Sequence, residues 1–145
     1  MKAYLSRRYV MSASHRLYSD AYSDEENRAV YGKCSNPYGH GHNYVLEVTV
    51  GGQVDPVTGM VCNLADLDGC VRQNVLDRFD HSNLNFDEHF TAEVPTTENL
   101  CIAIYNLLAD RFSYAELERV RVEETSNNFF EYARKGEHGT SISRS

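Results

Sequence analysis

Two histidines, His40 and His42, stand two residues apart, and a cysteine, Cys34, lies six residues before the first of them. Asn36, Pro37 and Gly39 make a turn between the thiol and the imidazoles. Beyond that turn Tyr44, Leu46, Val48 and Val50 alternate with Asn43, Glu47 and Thr49, which predicts a strand over 40–50. Side chains two apart on a strand point the same way, so His40 and His42 sit side by side on one face. A third histidine follows the same logic. Leu5, Tyr9, Met11, Ala13, His15 and Leu17 share one parity of a long alternating stretch over 3–17, broken only at Arg7. Antiparallel pairing of these two strands would gather His15, His40 and His42 on one face of one sheet. Three imidazoles without an obvious fourth protein ligand are the pattern of a catalytic zinc with one open position. Cys34 is either a fourth ligand, which would close the site, or a base whose thiol a nearby cation would turn into a thiolate.

Three further positions carry chemistry. Asp80 precedes His81, and a carboxylate beside an imidazole orients it and favours its protonated form; the plain alternative is a histidine satisfying the end of a helix. Glu124 follows Val120 and Val122 on the apolar parity of its strand. A buried carboxylate needs partners, either an arginine or an amino-heterocycle held in bidentate fashion with help from Thr96 and Thr97 at a helix start. His89 and His138 sit in polar surroundings and are assigned no role.

The elements that must position these groups read as follows. A polar connection over 18–36, centred on Asp24, Glu25, Glu26 and Asn27, separates the two histidine strands and is long for a loop without work. Gly51, Gly52, Asp55 and Pro56 break the second strand before a short strand at 60–63. A helix over 64–79 follows, with Asn63 as its cap and Leu64, Leu67, Val71, Val75, Leu76 and Phe79 at helical spacing. A second helix starts at Pro95-Thr96-Thr97-Glu98, with Leu100, Ile104, Leu107 and Leu108 as its buried stripe. Strands over 117–126 and 128–134 close the chain. The fold class is α+β, an antiparallel four-stranded sheet with two helices packed on one face, over a single domain at 1–136 and a flexible tail at 137–145. Open sheet edges in so small a domain point to an oligomer.

Composition narrows the function. The 145 residues carry a net charge of −7, which argues against nucleic acid bound through a broad basic surface. A phosphorylated substrate would need a local basic pocket or a divalent cation. No apolar run reaches membrane-spanning length, and Arg7 and Arg8 among Tyr4, Leu5, Tyr9 and Val10 lack a signal-peptide layout, so the expected location is cytoplasmic. Cys34, Cys62, Cys70 and Cys101 show no CxxC spacing and are expected as free thiols, with Cys70 and Cys101 as small core residues.

Several segments together resemble the 6-pyruvoyl-tetrahydropterin synthase family: Ser12-Ala13-Ser14-His15-Arg16-Leu17, Cys34 through Tyr44, Asp80-His81-Ser82-Asn83-Leu84, Pro95-Thr96-Thr97-Glu98-Asn99 and Glu124-Thr125-Ser126-Asn127-Asn128. They span residue 12 to about 136 in the family's order. The resemblance implies the tunnelling fold, in which subunits join their sheets into a barrel and stack as a homohexamer of two trimers. It implies zinc on His15, His40 and His42 and Cys34 as the proton-abstracting base. Asp80 and His81 would complete the triad from a neighbouring subunit. Glu124 would anchor the pterin, with Thr96 and Thr97 beside it. The implied substrate is 7,8-dihydroneopterin triphosphate, converted with loss of triphosphate and with magnesium also required. Arg7, Arg8, Arg16 and Lys33 are the candidates for holding that triphosphate. In the related 6-carboxytetrahydropterin synthase of queuosine biosynthesis the cysteine usually lies four residues before the first histidine of the pair. Here it lies six before, as in the pyruvoyl-forming enzymes. A pterin-binding protein with a structural zinc closed by Cys34 is the non-catalytic alternative.

Overall fold

A computed structural model describes residues 1–135. Strand β1 (Lys2–His15) and strand β2 (His40–Gln53) pair antiparallel along their full length, from Lys2 opposite Gln53 to His15 opposite His40. The period-two pattern is the cause. Met11, Ala13, Tyr44, Leu46, Val48 and Val50 are all buried on one face, while Ser6, Arg8, Ser12, Asn43 and Glu47 occupy the other. Strand β2 does not break at the two glycines. At Gly51 a Cβ would sit 2.8 Å from Lys2 Cε and 3.0 Å from Glu118 Oε2, so glycine lets neighbouring side chains cross over the strand.

Strand β4 (Glu116–Thr125) pairs antiparallel with β2, and β5 (Asn128–Ala133) pairs with β4 through a tight turn. A two-residue strand, β3 (Ser82–Asn83), lies parallel against Ala13 and Ser14 on the opposite edge. The order is β3-β1-β2-β4-β5. The sheet is therefore five-stranded and mixed, which corrects the expected four antiparallel strands. Two residues are too few for an alternation to show. What fixes them is the chain's approach: His81 takes a φ of 57°, a left-handed value uncommon outside glycine, and its amide donates to the Ser12 carbonyl on the edge of β1. The expected strand at 60–63 is irregular instead. Asn63 is spent capping the next helix, where its side chain accepts from the Ala65 amide.

Helix α1 (Asp24–Tyr31) occupies the connection expected as loop. It is polar nearly all round and is held by a capping box between Ser23 and Glu26. Its one buried residue, Asn27, receives the Ser19 amide and donates to the carbonyls of Ser19, Tyr22 and Ser23. Helix α2 runs over 64–79 as expected, as Leu64–Val71, a π turn at Arg72–Leu76 and a last turn at Asp77–Phe79. Helix α3 (Thr97–Arg111) follows. Leu67, Val71, Val75 and Phe79 of α2 and Leu100, Ile104 and Leu108 of α3 pack on the apolar face of the sheet and form the core. All four cysteines are free; Cys101 is buried in the core and Cys70 half-buried at its margin. Among the described residues no helix is long and apolar enough to cross a membrane. The tail expected at 137–145 lies outside the described residues.

Candidate metal centre and active site

The β1–β2 register ends on the histidines. His15 lies directly opposite His40, and His42 opposite Ala13, so all three imidazoles fall on the core parity where the apolar core gives out. Their ring centroids are 4.5 Å apart for His40 and His42, 4.9 Å for His15 and His42, and 5.1 Å for His15 and His40. His15 is 1% exposed and donates from Nδ1 to the Pro95 carbonyl at 2.8 Å. A carbonyl can only accept, so the proton is on Nδ1 and the Nε2 lone pair is free. His15 Nε2, His40 Nδ1 and His42 Nε2 are all buried without a hydrogen-bond partner. Buried polar atoms are seldom left so, and a metal ion would satisfy them. Burial is the main cause that holds His15 and His42 below the usual histidine range and so keeps them neutral, the form that binds metal. The ligand atoms of His15, Cys34 and His40 lie within 4.8 Å of one another, as do those of His15, His42 and Glu124. His15 belongs to both groups, while His40 and His42 fall in separate ones; nitrogen, thiolate and carboxylate donors of this kind fit a divalent ion such as zinc.

Cys34 sits in a short 3₁₀ turn (Gly32–Ser35) that is pinned to the end of β1. Its carbonyl accepts the Leu17 amide at 2.6 Å, and Arg16 Nε donates to the Ser35 carbonyl at 3.0 Å. The turn then closes at Gly39, whose φ is 68° and where a Cβ would meet the His15 carbonyl oxygen at 2.8 Å. Only glycine fits there. These contacts set Cys34 Sγ 3.4 Å from His40 Nε2. Burial, followed by the negative charge of Glu124, pushes the Cys34 thiol up in the chain alone. The lowering expected from a cation therefore has to come from a bound one.

Glu124 and Thr97 meet as expected. Thr97 Oγ1 donates to Glu124 Oε2 at 2.6 Å, and the same oxygen lies 3.9 Å from His42 Nε2. The β4–β5 register shifts between Glu123 and Thr125, an irregularity of the kind that re-aims a side chain beside a site. Among the described residues no arginine pairs with Glu124; Arg121 pairs with Glu123 and Glu47 instead. Thr96 caps α3 at the helix start expected there: its hydroxyl accepts the Asn99 amide.

Asp80 and His81 form the expected pair, with His81 Nε2 3.6 Å from Asp80 Oδ2 and Asp80 Oδ1 accepting the Ser12 amide at 2.8 Å. Within one chain His81 and Cys34 line different cavities. The His81 side chain is 83% exposed and lines a cavity with Ser12, Asn43, Asn83 and His42, whereas Cys34 lines another with His40 and, again, His42. Two contributors were not foreseen. The Pro95 carbonyl, which fixes the His15 tautomer, leaves no side-chain signal. Tyr44, whose hydroxyl lies 3.3 Å from His15 Nδ1, does share the parity of the histidines, and that was its available signal.

Comparison with known proteins identifies the chain's relatives. Residues 4–135 match the family model described as 6-pyruvoyl tetrahydropterin synthase. A human protein named 6-pyruvoyl tetrahydrobiopterin synthase is 49% identical over 137 residues, covering 94% of this chain and 93% of its own. A Poecilia reticulata protein of the same name is 48% identical over 130 residues, covering 89% and 88%. The solved structure of Caenorhabditis elegans 6-pyruvoyl tetrahydropterin synthase superposes with a TM-score of 0.87 at 42% identity, over 93% of this chain and 97% of that one. The chain belongs to the 6-pyruvoyl tetrahydropterin synthase family.

Proposed function

We propose that the chain, as a single domain over 1–136, is a zinc-dependent lyase. It converts 7,8-dihydroneopterin triphosphate to 6-pyruvoyl-tetrahydropterin and releases triphosphate. The observation that carries the reading is the junction of three partnerless imidazole nitrogens with the Glu124–Thr97 pair and the Cys34 thiol. His15, His40 and His42 would hold the zinc. Bound there, zinc would supply polarisation of the substrate's side-chain hydroxyls.

The chain's own groups account for the rest. Glu124, steadied by Thr97, is an acceptor for the amino and ring N–H groups of a pterin, and fixing the ring sets which carbon faces the thiol. Cys34 takes a proton from the side chain of the substrate. His81, exposed in one chain, and Asp80 beside it serve a neighbouring subunit's site, in a homohexamer built by joining open sheet edges. The proton shifts and the loss of triphosphate leave the overall oxidation level unchanged, so no redox cofactor is called for. Magnesium accompanies the triphosphate, and the enzyme works in the cytoplasm.

Incubation with 7,8-dihydroneopterin triphosphate and mass analysis of the pterin tests the reading. A three-carbon pyruvoyl side chain with one triphosphate released is the expected result. A carboxylated pterin would make the chain a 6-carboxytetrahydropterin synthase. Retention of pterin and metal without any consumption would make it a binding protein.

A further inference from the structure

The cavity in front of Cys34, of about 860 Å³, is lined by Arg28, Lys33, Asn36, His40 and His42 among others, and by no carboxylate. That is unexpected in a chain of net charge −7. Several cations here are already neutralised: Lys2 by Glu116, Arg7 by Asp68, Arg78 by Asp87, Arg121 by Glu123 and Arg134 by Glu116. Arg28 and Lys33 have no carboxylate within ion-pair distance among the described residues. Asp24, one helical turn before Arg28, is engaged by the Tyr18 hydroxyl at 2.9 Å.

The other cations considered for a phosphate chain are accounted for elsewhere. Arg7 forks onto Asp68 through Nε and Nη2, both at 3.0 Å. Arg8 lies on the opposite face of the sheet, 4.0 Å from Glu47. Arg16 donates to the Ser35 carbonyl and stacks its guanidinium 4.1 Å over the Tyr18 ring. Helix α1 gains a purpose in this light. It buries nothing but Asn27, yet its capping box and the four bonds of that amide hold it firmly, with Arg28 in its last turn. Gly32, at φ 59°, turns the chain directly into the Cys34 turn that carries Lys33.

We propose that Arg28 and Lys33 are a polyphosphate subsite that receives the leaving triphosphate, with Arg28 as a fork and Lys33 as a point charge. The proposal rests on the substrate reading above and adds the residues that recognise its anionic end. Calorimetric titration of the metal-loaded protein with inorganic tripolyphosphate tests it, with magnesium kept in excess so that the ligand does not strip the site. The wild-type chain is expected to bind saturably. The Arg28→Ala/Lys33→Ala variant should bind about tenfold or more weakly, since charged hydrogen bonds are lost from both ends of the subsite. A matched Arg72→Ala/Arg111→Ala variant, which removes the same charge from the helices, should stay within about twofold of wild type. No binding by the wild type, binding unchanged in the first variant, or equal loss in both would overturn the subsite. Turnover of the pterin substrate is measured separately. Its absence in a wild-type chain that binds tripolyphosphate through these two residues would sink the lyase reading and leave the subsite standing.

Discussion

Thr97 donates its hydroxyl hydrogen to Glu124 across 2.6 Å, and this bond ties the first turn of α3 to the end of β4 beside the histidines. Thr97 is 6% exposed, so water does not substitute easily for it. Thr97→Val keeps the shape and removes the donor. Hydrogen bonds to charged groups contribute about 1.5–3 kcal/mol, so KM for the pterin substrate should rise roughly tenfold or more while metal content stays the same. Steady-state kinetics with metal analysis checks this, and an unaltered KM would remove Thr97 from the pterin grip.

Cys34→Ala separates the two roles open to the thiol. As a base, Cys34 contributes to turnover and not to assembly. The variant should keep its metal and its thermal midpoint while kcat falls about 10²- to 10⁴-fold. Joint loss of metal and stability would instead mark a closed structural site.

The histidine cluster was legible because two independent alternations, one in β1 and one in β2, put His15, His40 and His42 on the parity of buried residues. Pairing those strands with Met11, Ala13, Tyr44 and Leu46 inside puts the imidazoles on one face, and the register with His15 opposite His40 brings them together. The α2 and α3 stripes were legible for the same reason at helical spacing. What escaped was whatever lacks a period. β3 is two residues long and is set by the turn at His81. α1 is polar on nearly every side, and its signal was the capping pair Ser23 and Glu26 inside a run that reads as loop. The separation of His81 from Cys34 was not legible either, because strand parity says nothing about which cavity a loop residue faces.

Asn27 should matter more than its place in an exposed helix suggests. Its buried amide makes four hydrogen bonds to the 19–23 turn. Asn27→Ala would leave the part-buried Ser19 amide and several carbonyls without this partner, at a cost of about 1–3 kcal/mol. Urea unfolding should show a lower midpoint with the slope retained. Turnover should fall as well, since α1 leads straight into the Cys34 turn. A midpoint equal to wild type would mean that water replaces the amide.

The segment that carries Pro95 toward His15 is stapled to α2 by Arg78, whose Nε and Nη2 each donate to Asp87 at 2.8 Å. Those bonds hold the Asp87 carboxyl below its ordinary value of 3.8, against the opposing effect of burial. A carboxyl lowered in the folded state binds fewer protons there than in the unfolded chain. Its stabilisation is therefore complete above the ordinary value and is lost as pH falls through the lowered one. Thermal midpoints of wild type and Asp87→Asn should differ by a constant amount at neutral pH, and the gap should close in the acid range below 3.8. A gap independent of pH throughout would show that the ion pair contributes nothing.

His81 and Cys34 face different cavities of the same chain, yet the proposed mechanism needs both at one site. The proposed mechanism meets that need by letting one subunit's His81 serve another subunit's Cys34. Cys34→Ala and His81→Ala should each be inactive as pure assemblies. Co-expressed under different tags and purified through both, they should form hybrid oligomers in which some sites pair an intact thiol from one subunit with an intact imidazole from the other. Those sites should turn over the pterin substrate at the wild-type rate per site. If each site were built within one chain, every site of the hybrid would lack one of the two groups, and no activity would return.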